Sequence, residues 1–215
     1  MKNKFEKLLT KGRLAKAYNE LPDNQCRADV IREYKALLNS SSCNNKMLYK
    51  HLACSILPAA AVYRVLQNNG FDKDTAINII RESVLYAGQN MKKLLQKLGK
   101  LPFFFLLFRI LCRNSLKNVY GKPGWDMRWL ADTPYELRWD CHSCFYHDEL
   151  KKHDAQELLA VFCASDDLIY GDIPNIQWGR KKTLAAGSEV CDFQFYNAKT
   201  NRASPKTRLV LGKPQ

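Results

Sequence analysis

Apolar residues in the first 120 positions recur every three to four places, the spacing of amphipathic helices. AYNELPDNQCRADVIREYKALL carries one such stripe. KMLYKHLACSILPAAAVYRVLQNNG carries a longer one that ends at Gly70, a natural helix stop. Pro58 inside that run predicts a kink or a division, because its ring removes an N–H and crowds the preceding turn. Asp72 suits the N-cap of the helix in FDKDTAINIIRESVLYAGQNMKKLLQKLGK, and Gly99 closes it. FFFLLFRIL follows Pro102, which fits a first helical turn. SLKNVYGKPGWDMRW, with two glycines and a proline, predicts a connecting loop.

Near residue 134 the period changes to two. In YELRWDCHSCFY, Tyr135, Leu137, Trp139 and Cys141 share one face, and Arg138, Asp140, His142 and Cys144 the other. DELKKHDAQELLAVFCASDD then predicts one amphipathic helix, with Asp148 as N-cap and Leu150, Leu158, Val161 and Phe162 buried. IQWGRKKTLAA and EVCDFQFYN predict a hairpin broken at Gly187, where positive φ is permitted. With Gly187-Ser188 as a two-residue turn, Leu184 faces Cys191 and Thr183 faces Asp192. Arg180, Lys182, Cys191, Phe193 and Phe195 then share a face; a bulge or a longer turn reverses part of this. In the tail NAKTNRASPKTRLVLGKPQ, RLVLG offers an edge strand.

These elements predict an α+β fold: an N-terminal helical region packed on a small antiparallel sheet, with one long helix between strands. The expected segments are a basic helical extension over 1–45, a helical region over 46–120, an α+β ligand or catalytic region over 121–200, and a polar tail over 201–215. Residues 46–200 are expected to form one domain.

Charge alters the picture in one place. The chain of 215 residues carries a net +13. Residues 1–120 hold 21 Lys and Arg against 8 Asp and Glu, and the remainder balances at 13 of each. That excess suits an anionic membrane surface, nucleic acid or an acidic partner, or else a solvated helical face. The charges spread evenly over the helices, which argues against nucleic acid. MKNKFEKLLTKGRLAK lacks the apolar core of a secretory signal. LPFFFLLFRILC contains Arg109 and is too short to span a bilayer, so it reads as a core helix or an interfacial one beside the basic half. The expectation is a cytoplasmic protein with reduced cysteines, no membrane insertion and at most weak surface contact through its basic N-terminal region.

The tight pair Cys141-His-Ser-Cys144 has no second CxxC and no HxxxH to complete four metal ligands. A zinc site would have to draw Cys163 or Cys191 from a distance. A redox CxxC belongs at the start of a helix, yet Tyr146-His147-Asp148 separates this one from the helical pattern. No metal and no cofactor are expected.

In FCASDD, Cys163 is expected at the C-terminal end of its helix, where the dipole disfavours a thiolate. Asp166 and Asp167 follow as helix-end residues, or as carboxylates that orient water or a protonated ring nitrogen. A hairpin face with a thiol, two aromatic rings and the Arg180 guanidinium has the make-up of an apolar pocket wall with one anion-binding group. The plainer alternative is a core cysteine with Arg180 reaching solvent.

Three stretches carry a resemblance. They are Cys144-Phe-Tyr, Glu157-Leu with Phe162-Cys163 and Asp166-Asp167, and Arg180-x-x-Thr183-Leu-Ala-x-Gly187-x-x-x-Cys191-Asp192-Phe193-x-Phe195. They resemble the L-2-amino-thiazoline-4-carboxylic acid hydrolase family, over most of residues 50 to 196. The resemblance implies a cytosolic bacterial enzyme of cysteine metabolism. It would hydrolyse the C=N bond of a small cyclic amidine-like carboxylate to a carbamoyl-cysteine product. Arg180 would clamp the substrate carboxylate, Cys163 or Cys191 would attack, or Asp167 would activate water. Cys144 is a third thiol candidate, and Asp166, Thr183, Asp192 and Phe193 are further substrate-binding candidates. His51, His142, His147 and His153 lie outside these motifs. The Arg-x-x-Thr…Cys spacing also resembles the zinc segment of 4-vinyl-reductase-type domains, with Arg180 and Thr183 where ligands would stand. That likeness implies a zinc-free domain, and its rival reading is a non-catalytic small-molecule sensor.

Overall fold

The computed structural model describes residues 4–200, and the RLVLG segment lies outside the described residues. The fold is α+β. Its helices are α1 (Lys4–Lys11), α2 (Ala15–Asn19), α3 (Asn24–Ser40), α4 (Lys46–His51), α5 (Leu57–Asn68), α6 (Lys73–Leu98), α7 (Phe104–Asn118), α8 (Phe145–Lys152) and α9 (Leu159–Tyr170). The strands are β1 (Trp125–Asp132), β2 (Glu136–Cys144), β3 (Ile176–Gly179) and β4 (Cys191–Asn197), antiparallel throughout in the order β1-β2-β4-β3. The chain forms two compact units, Met1–Gln89 with Phe145–Ser165 and Asn90–Cys144 with Asp166–Gln215.

In the first unit, side-chain caps set the helix starts. The Asp23 carboxylate accepts from the Cys26 N–H at 2.7 Å, and Asp72 accepts from the Thr75 hydroxyl at 2.6 Å and from its N–H at 2.9 Å. These bonds hold both carboxylates below their ordinary pKa. The run containing Pro58 does divide, just upstream of the proline. Leu52–Ile56 form a wider π turn, and Pro58 takes the first turn of α5, where its missing N–H is tolerated. The missing donor leaves the Ala53 carbonyl for the Tyr34 hydroxyl, which donates to it at 2.6 Å. Gly70, at φ 82°, ends α5. There the Phe71 N–H reaches the Leu66 carbonyl at 3.1 Å and the Gly70 N–H reaches Gln67 at 3.0 Å.

The helix expected over 148–167 is two helices. Asp154 sits at φ 50° after α8, the Ala155 N–H bonds the Leu150 carbonyl at 2.9 Å, and a short 3₁₀ turn leads into α9. Aspartate tolerates the left-handed region better than most residues. An apolar stripe that continues across the break conceals it in sequence.

In the second unit the sheet packs its apolar face on α7. Leu137, Trp139, Ile176 and Phe195 bury against Phe104, Phe105 and Phe108. Phe108 and Phe195 rings lie 4.9 Å apart, and Trp139 stacks on its register partner Phe193 at 5.1 Å. The alternation predicted for Leu137, Trp139 and Cys141 is present. The loop predicted around residues 115–129 instead holds the end of α7 and the start of β1. Register shifts at Asp126/Met127 and Trp129/Ala131 break the period of β1 and erase its alternation from the sequence.

Gly99 ends α6, and its role is one of space. A Cβ there would come within 2.8 Å of Ile173 and Pro174 side-chain atoms and 2.9 Å of the Pro174 carbonyl. The Asn175 side chain also donates to the Gly99 carbonyl at 2.8 Å. Gly99→Ala is expected to destabilise the protein by roughly 1–3 kcal/mol in urea unfolding, because the contacting backbone must shift.

Candidate functional site

Among the described residues Arg180 is the charged residue buried most deeply, at 2 % exposure. It leaves the end of β3, and its guanidinium lies over the Trp178 and Phe193 rings, 5.5 and 5.4 Å from their centroids. Nη1 donates to Asp166 Oδ2 and Nη2 to Asp167 Oδ2, each at 2.9 Å. Two carboxylates adjacent in sequence on a helix point apart, and a planar fork spans both where an ammonium would choose one. The Trp178 indole N–H donates to Asp167 Oδ1 at 3.0 Å and fixes that carboxylate's second oxygen. The aspartate side chains keep 33 % and 27 % of their surface exposed. The cluster is thus an inward cation holding two carboxylates in place at the edge of the solvent, with one net negative charge.

The helix places these residues differently from the sequence reading. α9 runs on to Tyr170, so Asp166 and Asp167 lie within it and are not at its end. Cys163 lies in its first half, four positions before Asp167, so the C-terminal dipole argument does not apply to it.

The two-residue turn is also replaced. β3 ends at Gly179 and β4 begins at Cys191, leaving a loop over 180–190. Within it Thr183 caps a 3₁₀ turn, its Oγ1 accepting from the Ala186 N–H at 3.1 Å, and Gly187 takes φ 78° as predicted. Thr183 therefore does not pair with Asp192. Asp192 instead gathers the loop: Oδ1 accepts from the Lys181 and Lys182 N–H groups at 2.8 and 2.6 Å, and Oδ2 from the Gln194 amide at 2.7 Å.

Cys191 is buried opposite Cys141 of β2, and its Sγ accepts from the Leu184 N–H at 3.2 Å. Burial pushes its pKa up, against the opposing pull of the Leu184 N–H and the Arg180 charge. Cys141 is pushed up too, first by burial and then by Cys144 and Cys191. Cys144 closes β2, half-buried, at that same end of the sheet. Asp166, Asp167, Arg180 and Phe193 are therefore in direct contact, Cys191 lies within electrostatic reach of them, and Thr183 and Asp192 shape the loop.

Trp178 had no role in the sequence reading. The signal was its place two residues before Arg180 on a strand, which puts both side chains on one side. Among the described residues no group of three or more His, Cys, Asp or Glu is placed to hold a metal ion. His51 meets Tyr146, His147 meets Asp148 and His153 meets Ser41, all in the first unit.

The model of the family described as L-2-amino-thiazoline-4-carboxylic acid hydrolase matches residues 46–195. That span runs from α4 into β4 and includes the whole cluster. No curated protein and no solved structure gives a significant match.

Two outcomes follow from the geometry. Arg180→Gln is expected to cost roughly 2–3 kcal/mol in urea unfolding, with a change in Trp178 fluorescence, because it leaves two carboxylates facing each other without their cation. Cys141 and Cys191, with raised pKa values, are expected to resist iodoacetamide in the native protein at a pH near 8 and to react once it is unfolded, read by peptide mass mapping.

Proposed function

The chain belongs to the L-2-amino-thiazoline-4-carboxylic acid hydrolase family, and from that premise we propose that it opens a small cyclic amidine-like carboxylate by hydrolysis of its C–N bond. The observation that carries this reading is the pair of partly exposed carboxylates held in place by buried Arg180. An amidine-like ring accepts a proton to become a planar cation, and a carboxylate is its natural hydrogen-bond partner. Asp166 binds that cation. Asp167, steadied by Trp178 and Arg180, takes a proton from the attacking water. The water oxygen bonds to the ring carbon, the C–N bond breaks, and the departing nitrogen leaves as an amine carrying the proton. The product is a carbamoyl-cysteine.

Arg180 has both Nη groups on aspartates, so we give it a positioning role. The substrate carboxylate falls to the exposed Lys181 and Lys182, next to it in the chain. Cys191, kept as a thiol by burial, is given no part as nucleophile. Thr183, Asp192 and Phe193 support the loop and the guanidinium. Cys163 and Cys144 remain the thiols to test against the water route.

Incubation with aminothiazoline carboxylate and other cyclic amidines, followed by mass spectrometry, is expected to show addition of one water. Asp167→Asn is expected to lower kcat by about 10²–10⁴-fold with the fold intact, whereas Cys163→Ala and Cys144→Ala retain turnover. Loss of turnover in either cysteine variant overturns the water route. Tight binding of these ligands without turnover favours a non-catalytic binding module.

A further inference from the structure

Helix α7 is apolar on both sides. Phe104, Phe105 and Phe108 face the core, while Leu106, Leu107, Ile110 and Leu111 are 55, 42, 49 and 46 % exposed on the other side. Phe103, just before the helix, is 80 % exposed. A continuous apolar strip of this kind on a surface marks an interaction site. The same outward face continues at helical spacing into Arg113 and Lys117.

From Asn90 to Trp125 the chain carries eight Lys and Arg and no Asp or Glu. Arg109 and Arg113 pair with Asp132, and Lys92 pairs with Asp172. Lys93, Lys97, Lys100 and Lys117 have no carboxylate partner among the described residues. At the far end of the strip, a cavity of about 460 Å³ is lined by Arg113, Lys117 and Lys122 together with Tyr120, Trp125 and Trp129.

We propose that this face of α7 docks on an anionic lipid surface. The strip enters the acyl boundary, the cations meet the lipid phosphates, and the exposed Trp129 indole sits at the headgroup level. The charge selects this occupant. A second copy would bring one basic face against another. The chain's own residues 201–215 carry Arg202, Lys206, Arg208 and Lys213 and no acid, so they repel it too. Nucleic acid would satisfy the cations and leave the aliphatic strip without a partner. Among the described residues no helix is long and apolar enough to cross a membrane, so α7 lies on it. The proposal is independent of the hydrolase reading.

Co-flotation of the full chain with phosphatidylcholine vesicles, with and without phosphatidylglycerol, is the test. Binding is expected with phosphatidylglycerol only, and to fade as salt rises. Leu106→Ser/Ile110→Ser is expected to weaken it by more than about tenfold, from the apolar surface removed, and Lys117→Glu/Lys122→Glu by a similar factor, from the charge reversed. Circular dichroism confirms that both double variants, changed at exposed positions, are folded. Absence of flotation overturns the proposal, as does equal binding to neutral vesicles. So does a dimer in light scattering that Leu106→Ser/Ile110→Ser dissociates, or duplex DNA binding that this variant leaves unchanged while vesicles fail to bind.

Discussion

A guanidinium is costly to bury without paired carboxylates, and the placement of Arg180 at 2 % exposure organises what surrounds it. Its fork needs two acceptors in one plane, so α9 must continue beyond Cys163 far enough to present Asp166 and Asp167. Its faces need apolar or aromatic cover, so Trp178 and Phe193 must stand on adjacent strands, as β3 and β4 place them. The loop after Gly179 must leave the sheet at once to let the side chain turn inward, and Asp192 pins it there through two backbone N–H groups. Remove the cation and three separate constraints lose their common centre.

The same ion cluster explains why one part of the chain was legible and another was not. Gly70, Asp72 and Gly187 announced their roles because each acts on its own neighbours, through a left-handed turn or a cap. The alternation of Leu137, Trp139 and Cys141 was visible because β2 is central and one of its faces is wholly buried. β1 is an edge strand with two register shifts, and its period was lost. The pairing of Arg180 with Asp166 and Asp167 joins residues 13 and 14 positions apart. No local pattern encodes it. The motifs leave the guanidinium to a ligand or to solvent, whereas the chain supplies its partners internally.

Arginine and two aspartates also set what the site can do. The Arg180 guanidinium lies between the two carboxylates, one Nη group on each, and offsets their mutual repulsion. The arrangement suits a protonated amidine better than a free acid. It also separates two parts: the buried cation orders the cluster, and the aspartates keep their exposed edges toward solvent.

The two charge systems start from opposite edges of the sheet. β1, tied to α7 by the Arg109–Asp132 pair, forms one edge, and β3, carrying the chain into Arg180, forms the other. Between those edges α7 crosses the face of the sheet, with the Phe108 ring 4.9 Å from Phe195 of β4. Each charge system is nevertheless satisfied by its own neighbours: Arg109 and Arg113 share Asp132 at the β1 edge, and Arg180 takes both of its carboxylates from α9. What lies between them is aromatic and aliphatic, the Phe104, Phe108 and Phe195 core. Burying apolar surface there leaves the ion pairs at its margins, where each acid is committed to a nearby cation.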